Sequence, residues 1–392
     1  MVFVMTACAE NSSQSEKSQP AEQTTVQPTT MSAEEINDRK LDKFISDMTL
    51  EEKVGQMFFV RCPDEGAVQQ VSEYNIGGYI LFGRDFDGKT KDEVVDDIHS
   101  YQNEADIPLL IGVDEEGGTV VRVSSNPNLR ETPFLSPKDT YADGGWDAVK
   151  QDAEEKADLL LSLGINVNLA PVCDMTSDEY AFMYDRSFSS DVDMENRYVR
   201  TVVETSKSKK LGTVLKHFPG YGNNSDTHTG IAYDDRDYSE FENTDFKPFY
   251  QGIESGADCI LVSHNIVNCM DSEYPASLSQ KVHDILRNEF KFDGVIMTDD
   301  LIMDAITDFT GDEAAAVTAA KCGNDLLCCS SVDTQYPAVL EAVQNGEISE
   351  AQVDASVKRI LKWKQNLGIF SIDTYQKKVK STEPTDTVES EE

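Results

Sequence analysis

Val295-Ile-Met-Thr298 is an apolar run with no polar alternation, and it ends abruptly in Asp299-Asp300. A strand buried on both faces has this pattern, whereas a half-exposed strand alternates between apolar and polar residues. Seven further runs of the same kind are Met57–Val60, Gly78–Phe82, Leu109–Val113, Ile165–Pro171, Thr213–His217, Cys259–Ser263 and Asp325–Cys328. The intervals between them carry apolar residues at helical spacing, as in Lys91–Asn103, Trp146–Leu163, Asp191–Lys210 and Gln280–Phe290. Eight alternations of strand and helix predict an α/β fold: a single (β/α)8 TIM-type barrel with flexible N- and C-terminal tails. The working face of such a barrel is the C-terminal end of its strands. The competing architecture is an open, doubly wound sheet. No glycine-rich dinucleotide fingerprint follows any early strand, which weakens that rival.

The boundaries follow from local signals. Ser32-Ala-Glu-Glu35 and Thr49-Leu-Glu-Glu52 read as helix-opening capping boxes. Ser349 to Phe370 reads as a terminal helix, and the chain then turns polar and acidic. The expected organisation is a signal remnant and polar tether over residues 1–31, the barrel over 32–372, and an acidic disordered tail over 373–392. Met5-Thr6-Ala7-Cys8 resembles a bacterial lipobox, with Cys8 as the residue to be lipidated. The Ser-, Gln- and Thr-rich stretch after it cannot pack a core. The expected place is the outer face of a cell membrane, held by a lipid anchor, or secretion.

The chain carries 34 Lys and Arg against 72 Asp and Glu, a formal charge of -38. A field of that sign repels nucleic acid and anionic headgroups, so the expected membrane contact is the anchor alone, on a monomer. The eight cysteines form no paired CxxC arrangement, and several sit in apolar runs where a free thiol behaves as a small hydrophobe. His99 and His283 fall in polar helical stretches and are expected at the surface.

Polar side chains gather at four strand ends. The third run leads into Asp114-Glu-Glu-Gly-Gly118 with Arg122 beyond. The fifth ends in Lys216-His217-Phe-Pro-Gly220 and is followed by Asp226-Thr-His228. The sixth leads to His264, and the seventh to Asp299-Asp300. Cleaving a glycosidic bond needs a proton donor for the leaving oxygen and a carboxylate on the other face of the sugar. Asp226 and His228 suit the first role, since an aspartate two residues away can orient an imidazole. Asp299 or Asp300 suits the second; Asp300 is also placed to open a helix at Leu301. The residues alone reach only an acid/base hydrolase or lyase in a barrel.

Lys216–Gly230, Gly112–Gly118, Asp185-Arg-Ser-Phe188 and Gly294–Leu301 together resemble family 3 glycoside hydrolases, in their β-N-acetylhexosaminidase branch. The likeness runs from Met48 to Phe370. It implies a retaining exo-glycosidase that removes terminal N-acetylglucosamine from glycans such as cell-wall fragments, with no metal or organic cofactor. It implies Asp299 as nucleophile, His228 as acid/base and Asp226 as its partner. Asp114, Arg122, Arg186, Lys216 and His217 match sugar-binding positions, and His264 is expected to line the same site. The sequence departs from the family at Gly220-Tyr-Gly-Asn-Asn224, where Gly-His-Gly-Asp-Thr is usual, with one residue fewer before Asp226. Four alternatives stay open: a β-glucosidase or β-xylosidase, a phosphorylase of the same fold, a non-catalytic sugar-binding lipoprotein, and a metal hydrolase. The last lacks any HExxH or His-x-His string. Asp114 and Arg122 also have a purely structural reading, as an ion pair at the mouth.

Overall fold

The computed structural model describes residues 1–2, 31–224, 230–310, 312–375 and 377. The chain divides into two units, Met1–Arg39 and Lys40–Glu392. In the first, the Ser32 hydroxyl accepts the Glu35 N–H at 3.1 Å and the Glu35 carboxylate accepts the Ser32 N–H at 2.7 Å, which is the expected capping box. The second unit carries the Thr49–Glu52 box and holds the barrel.

The barrel's eight strands are β1 (Phe58–Arg61), β2 (Gly78–Leu81), β3 (Leu110–Val113), β4 (Val167–Asn168), β5 (Gly212–Phe218), β6 (Cys259–Val262), β7 (Val295–Thr298) and β8 (Leu327–Cys329). Each falls on one of the eight apolar runs. Every pairing is parallel: β8 lies on β1 with Phe58 opposite Leu327, and the order continues through β2 to β7. A parallel bridge between Met297 and Leu326 joins β7 to β8 and closes the ring.

The pleat sorts alternate side chains to opposite sides of the wall. Phe59, Leu110, Val214, Leu261 and Met297 form the inner cluster, while Phe58, Val60, Ile111 and Val113 pack outward against the helices. A side chain at Gly112 would put its Cβ 2.5 Å from the Phe59 ring, so Phe59 fills the space that a residue there would need. Ile360 and Trp363 of the terminal helix (Glu350–Asn366) and Leu367 at its C-cap belong to the inner cluster, so that helix plugs the floor of the barrel.

The helices follow the sequence closely. Lys91–Glu104 and Val192–Lys209 carry side-chain caps at Thr90 and Asp191. Pro137–Ser162 breaks at Gly144-Gly145, just ahead of the expected start at Trp146. His283 is a correction: it is 1% exposed, and its Nδ1–H donates to the Ser279 carbonyl at 2.7 Å. One buried face of its short helix outweighs the polar composition around it. His99 is exposed. Cys62, Cys173, Cys259, Cys269, Cys322, Cys328 and Cys329 are free thiols, all buried except Cys269. Cys8 lies outside the described residues.

Candidate active site

The C-terminal strand ends surround a cavity of about 660 Å³. Lys216, near the end of β5, is 2% exposed and reaches across the mouth. Its Nζ lies 2.6 Å from Asp114 Oδ1 and 2.7 Å from Glu116 Oε1. Arg186 grips the same Glu116 with two bonds, Nη2 to Oε1 at 2.7 Å and Nε to Oε2 at 3.0 Å. Burial alone would raise the Glu116 pKa, but the Arg186 and Lys216 charges outweigh it and hold the carboxyl well below its usual range. Burial would likewise lower Lys216, yet Asp114 and Glu116 drive it up, so both partners stay charged.

The chain of contacts continues through Arg186 Nη2, 3.2 Å from His217 Nε2. A guanidinium only donates, so Nε2 is the acceptor and the ring proton sits on Nδ1. Nδ1 then donates to Asp174 Oδ2 at 2.7 Å. The network presents fixed donors and acceptors on one side of a cavity whose lining also includes apolar Ile80, Phe82, Leu261 and Met303, an arrangement suited to gripping sugar hydroxyls.

The loop after β3 is shaped by Glu115, which is fully buried. Its Oε2 accepts the Arg122 and Val123 N–H groups at 2.9 and 2.7 Å. Gly117 has φ +102°, and a Cβ there would fall 2.2 Å from the Leu135 carbonyl, so the turn admits only glycine. The loop thereby brings Arg122 to the cavity wall. Asp114 pairs with Lys216 rather than with Arg122, whose Nε is buried with no partner among the described residues.

Asp299 follows β7, half-buried, and lines the cavity. Its N–H donates to the Val262 carbonyl at 3.1 Å, and its Oδ1 accepts the Asp300 N–H at 2.9 Å. Asp300 caps a turn instead of a helix at Leu301: Oδ1 accepts the Ile302 N–H at 3.2 Å, and the helix begins at Asp304. Burial raises the Asp300 pKa, partly offset by the Ser330 hydroxyl on Oδ2 at 2.8 Å.

His264 is the second correction. It is 0% exposed and does not line the cavity. Its Nε2–H donates to the Asp300 carbonyl at 3.0 Å, and Nδ1 accepts from the Ser277 hydroxyl at 2.7 Å. The imidazole props up the Asp299–Asp300 turn from behind. Asp226 and His228 lie outside the described residues.

Asp114, Arg122, Arg186, Lys216, His217 and Asp299 thus line one cavity, and sequence reasoning missed Glu116, Asp174 and Arg61 beside them. Glu116 stood within the quoted Asp114-Glu-Glu string. Arg61 ends the first strand and Asp174 follows the fourth, and the signal each offers is a lone charge at the end of an apolar run. Among the described residues no cluster of three or more His, Cys, Asp or Glu is placed to hold a metal ion.

The chain is 31% identical over 286 residues to a β-hexosaminidase of Hydrogenovibrio crunogenus, covering 71% of this chain and 79% of that one. It is 32% identical over 273 residues to a β-hexosaminidase of Nitrosomonas eutropha, covering 68% and 77%. Among solved structures it is similar to a glycoside hydrolase family 3 β-N-acetylglucosaminidase from Paenibacillus sp. str. FPU-7. The TM-score is 0.77 at 29% identity, covering 87% of this chain and 66% of that one. A β-N-acetylhexosaminidase from Beutenbergia cavernae gives a TM-score of 0.74 at 25% identity, covering 81% and 99%. The sequence model of the glycosyl hydrolase family 3 N-terminal domain matches residues 49–363, and with this barrel and this cavity the chain belongs to that family of glycoside hydrolases.

Proposed function

We propose that the enzyme removes terminal β-N-acetylglucosamine from glycans with retention of anomeric configuration. The observation that carries the reading is the shared cavity, with Asp299 on one wall and the Asp114–Lys216–Glu116–Arg186–His217 network on another. The network holds the sugar ring so that C1 faces Asp299. The carboxylate bonds to C1 as the C1–O bond breaks, and His228, oriented by Asp226, delivers a proton to the leaving oxygen. Water then gives a proton back to His228 and attacks C1, releasing Asp299. Two inversions restore the original configuration.

The β-hexosaminidases and β-N-acetylglucosaminidases to which the chain is similar support the N-acetyl substrate. The Met5–Cys8 lipobox and the polar stretch after it support a tether outside the membrane, where fragments of cell-wall glycan are the substrate class within reach. The test is hydrolysis of paired chromogenic β-N-acetylglucosaminide and β-glucoside by wild type and Asp299→Ala, with and without chelator. Preferential, chelator-resistant cleavage of the N-acetyl substrate that drops at least about 10³-fold in the variant supports the reading. Preference for the glucoside, or an Asp299→Ala enzyme as active as wild type, overturns it.

A further inference from the structure

We propose that Arg61 reads the 2-acetamido group of the sugar, and so sets the preference for N-acetylglucosaminides over glucosides. The inference rests on the function proposed above and adds the residue that would enforce it. The hydroxyl-gripping network occupies the β3 to β5 side of the mouth, and Asp299 stands at β7. The rest of the rim belongs to β8, β1 and β2, and there the wall changes character: Cys328, Ile80, Phe82 and Met303 are its apolar lining. Arg61, the last residue of β1, is the cation set among them.

Its guanidinium carbon lies 4.3 Å from the centroid of the Phe82 ring. Stacking fixes the plane of the fork but does not use its N–H groups. Nε is buried and has no hydrogen-bond partner among the described residues. Lys216 and Arg186, by contrast, are tied to carboxylates at 2.6–3.0 Å, and Arg122, which shares the unpartnered Nε, stands on the loop after β3, on the hydroxyl-gripping side. No carboxylate among the described residues pairs with the Arg61 guanidinium, and Arg61 lines the cavity, so the fork is left to meet an acceptor that a ligand brings. Arg61 also acts electrostatically on Asp300, which places it on the nucleophile's side of the cavity.

The chemistry of the sugar fits that sector. C2 is bonded to C1, the carbon that Asp299 attacks, so the C2 substituent must lie close beside Asp299. An acetamido group offers a carbonyl oxygen for the guanidinium and a methyl for an apolar wall. A glucoside hydroxyl is too small to reach both and leaves the donor unmet.

The experiment compares kcat/KM for chromogenic β-N-acetylglucosaminide, its N-trifluoroacetyl analogue and β-glucoside in wild type, Arg61→Met and Arg61→Lys, with thermal melting as the fold control. Fluorination weakens the carbonyl as an acceptor. The expected result is that Arg61→Met narrows the N-acetyl to glucoside ratio about 10–100-fold, through loss on the N-acetyl substrate, with Arg61→Lys between the two. The variant should also lose the wild type's sensitivity to fluorination. An unchanged ratio, or equal loss on both substrates, overturns the assignment. Calorimetric binding of N-acetylglucosamine against glucose is the second readout, and it separates this proposal from the hydrolytic one. A binding preference that Arg61→Met erases supports the assignment even in an enzyme that turned over neither chromogenic substrate. Equal binding of the two sugars by wild type overturns it.

Discussion

Asp174 accepts the Nδ1–H of His217 at 2.7 Å, and this one bond decides which ring nitrogen faces the cavity. Asp174 is 1% exposed and also accepts the backbone N–H of His217 at 3.0 Å and of Tyr221 at 2.7 Å. It therefore ties the turn after β5 to the segment after β4 while fixing the imidazole. Asp174→Ala leaves three donors unpaired in a dry site and should cost about 3 kcal/mol or more, lowering Tm by roughly 6–12 °C. Asp174→Asn keeps the shape but turns an amide N–H₂ toward one of those donors. It should raise KM about tenfold with a smaller loss of Tm. Thermal melting and steady-state kinetics on the N-acetyl substrate check both; an Asn variant with wild-type KM would remove Asp174 from the positioning of His217.

Glu116 takes both Lys216 and Arg186, so its removal strands the Arg186 guanidinium and leaves buried Lys216 with Asp114 alone. Glu116→Gln should destabilise the enzyme by about 3–5 kcal/mol near neutral pH. The pH dependence has a definite sign. Burial raises the pKa of Glu116, the two cations lower it by more, and the net folded value lies below the unfolded one. Such a group contributes stability that is complete above the unfolded value of about 4.3 and is lost as pH falls toward the folded value. The stability gap between wild type and Glu116→Gln should stay flat from about pH 7 to 5 and shrink below about pH 4. A gap that shrinks between pH 7 and 5 would mean the carboxylate is not held in its charged form.

These two residues also mark the limit of what the sequence conveys. All eight strands were legible because burial on both faces leaves a run such as Val295–Thr298 with no polar alternation. Capped helices were legible because Thr49, Asp191 and Ser349 carry local hydrogen-bonding signals. The cavity residues Asp114, Lys216 and Asp299 were legible as charges at strand ends. Glu116 was not, because its role depends on two cations 70 and 100 positions away in the chain. His264 shared the strand-end signature, yet its side chain turns behind the wall to Ser277 and Asp300. A strand end fixes a residue's height in the barrel but not which side of the wall its side chain takes.

The proton donor can be tested apart from the nucleophile. If His228 protonates the leaving oxygen, His228→Ala should lose about 10²–10⁴-fold in kcat on a glycan or an alkyl glycoside, whose leaving group is a poor one. The loss should be far smaller on a nitrophenyl glycoside, which departs without full protonation. Activity on the glycan equal to wild type would assign the proton transfer to another residue.

Lys364 gives a prediction independent of catalysis. It lies in the plug helix with no exposed surface, and its Nζ donates to Gln56 Oε1 at 2.8 Å. Burial pushes its pKa down to about 7. The unfolded chain holds the same proton up to about pH 10.4, so between these values folding must release it. Wild-type stability should therefore gain from this lysine as pH rises from about 7 to 10, and the burial penalty, up to about 5 kcal/mol, is full at and below about pH 7. Lys364→Met removes the penalty and keeps the volume. The variant should melt higher than wild type at pH 6.5, with the advantage shrinking by pH 9.5, where the lost Gln56 contact becomes the larger effect. Equal melting differences at the two pH values would show that Lys364 stays charged in the folded barrel, with the Gln56 amide oxygen enough to hold it.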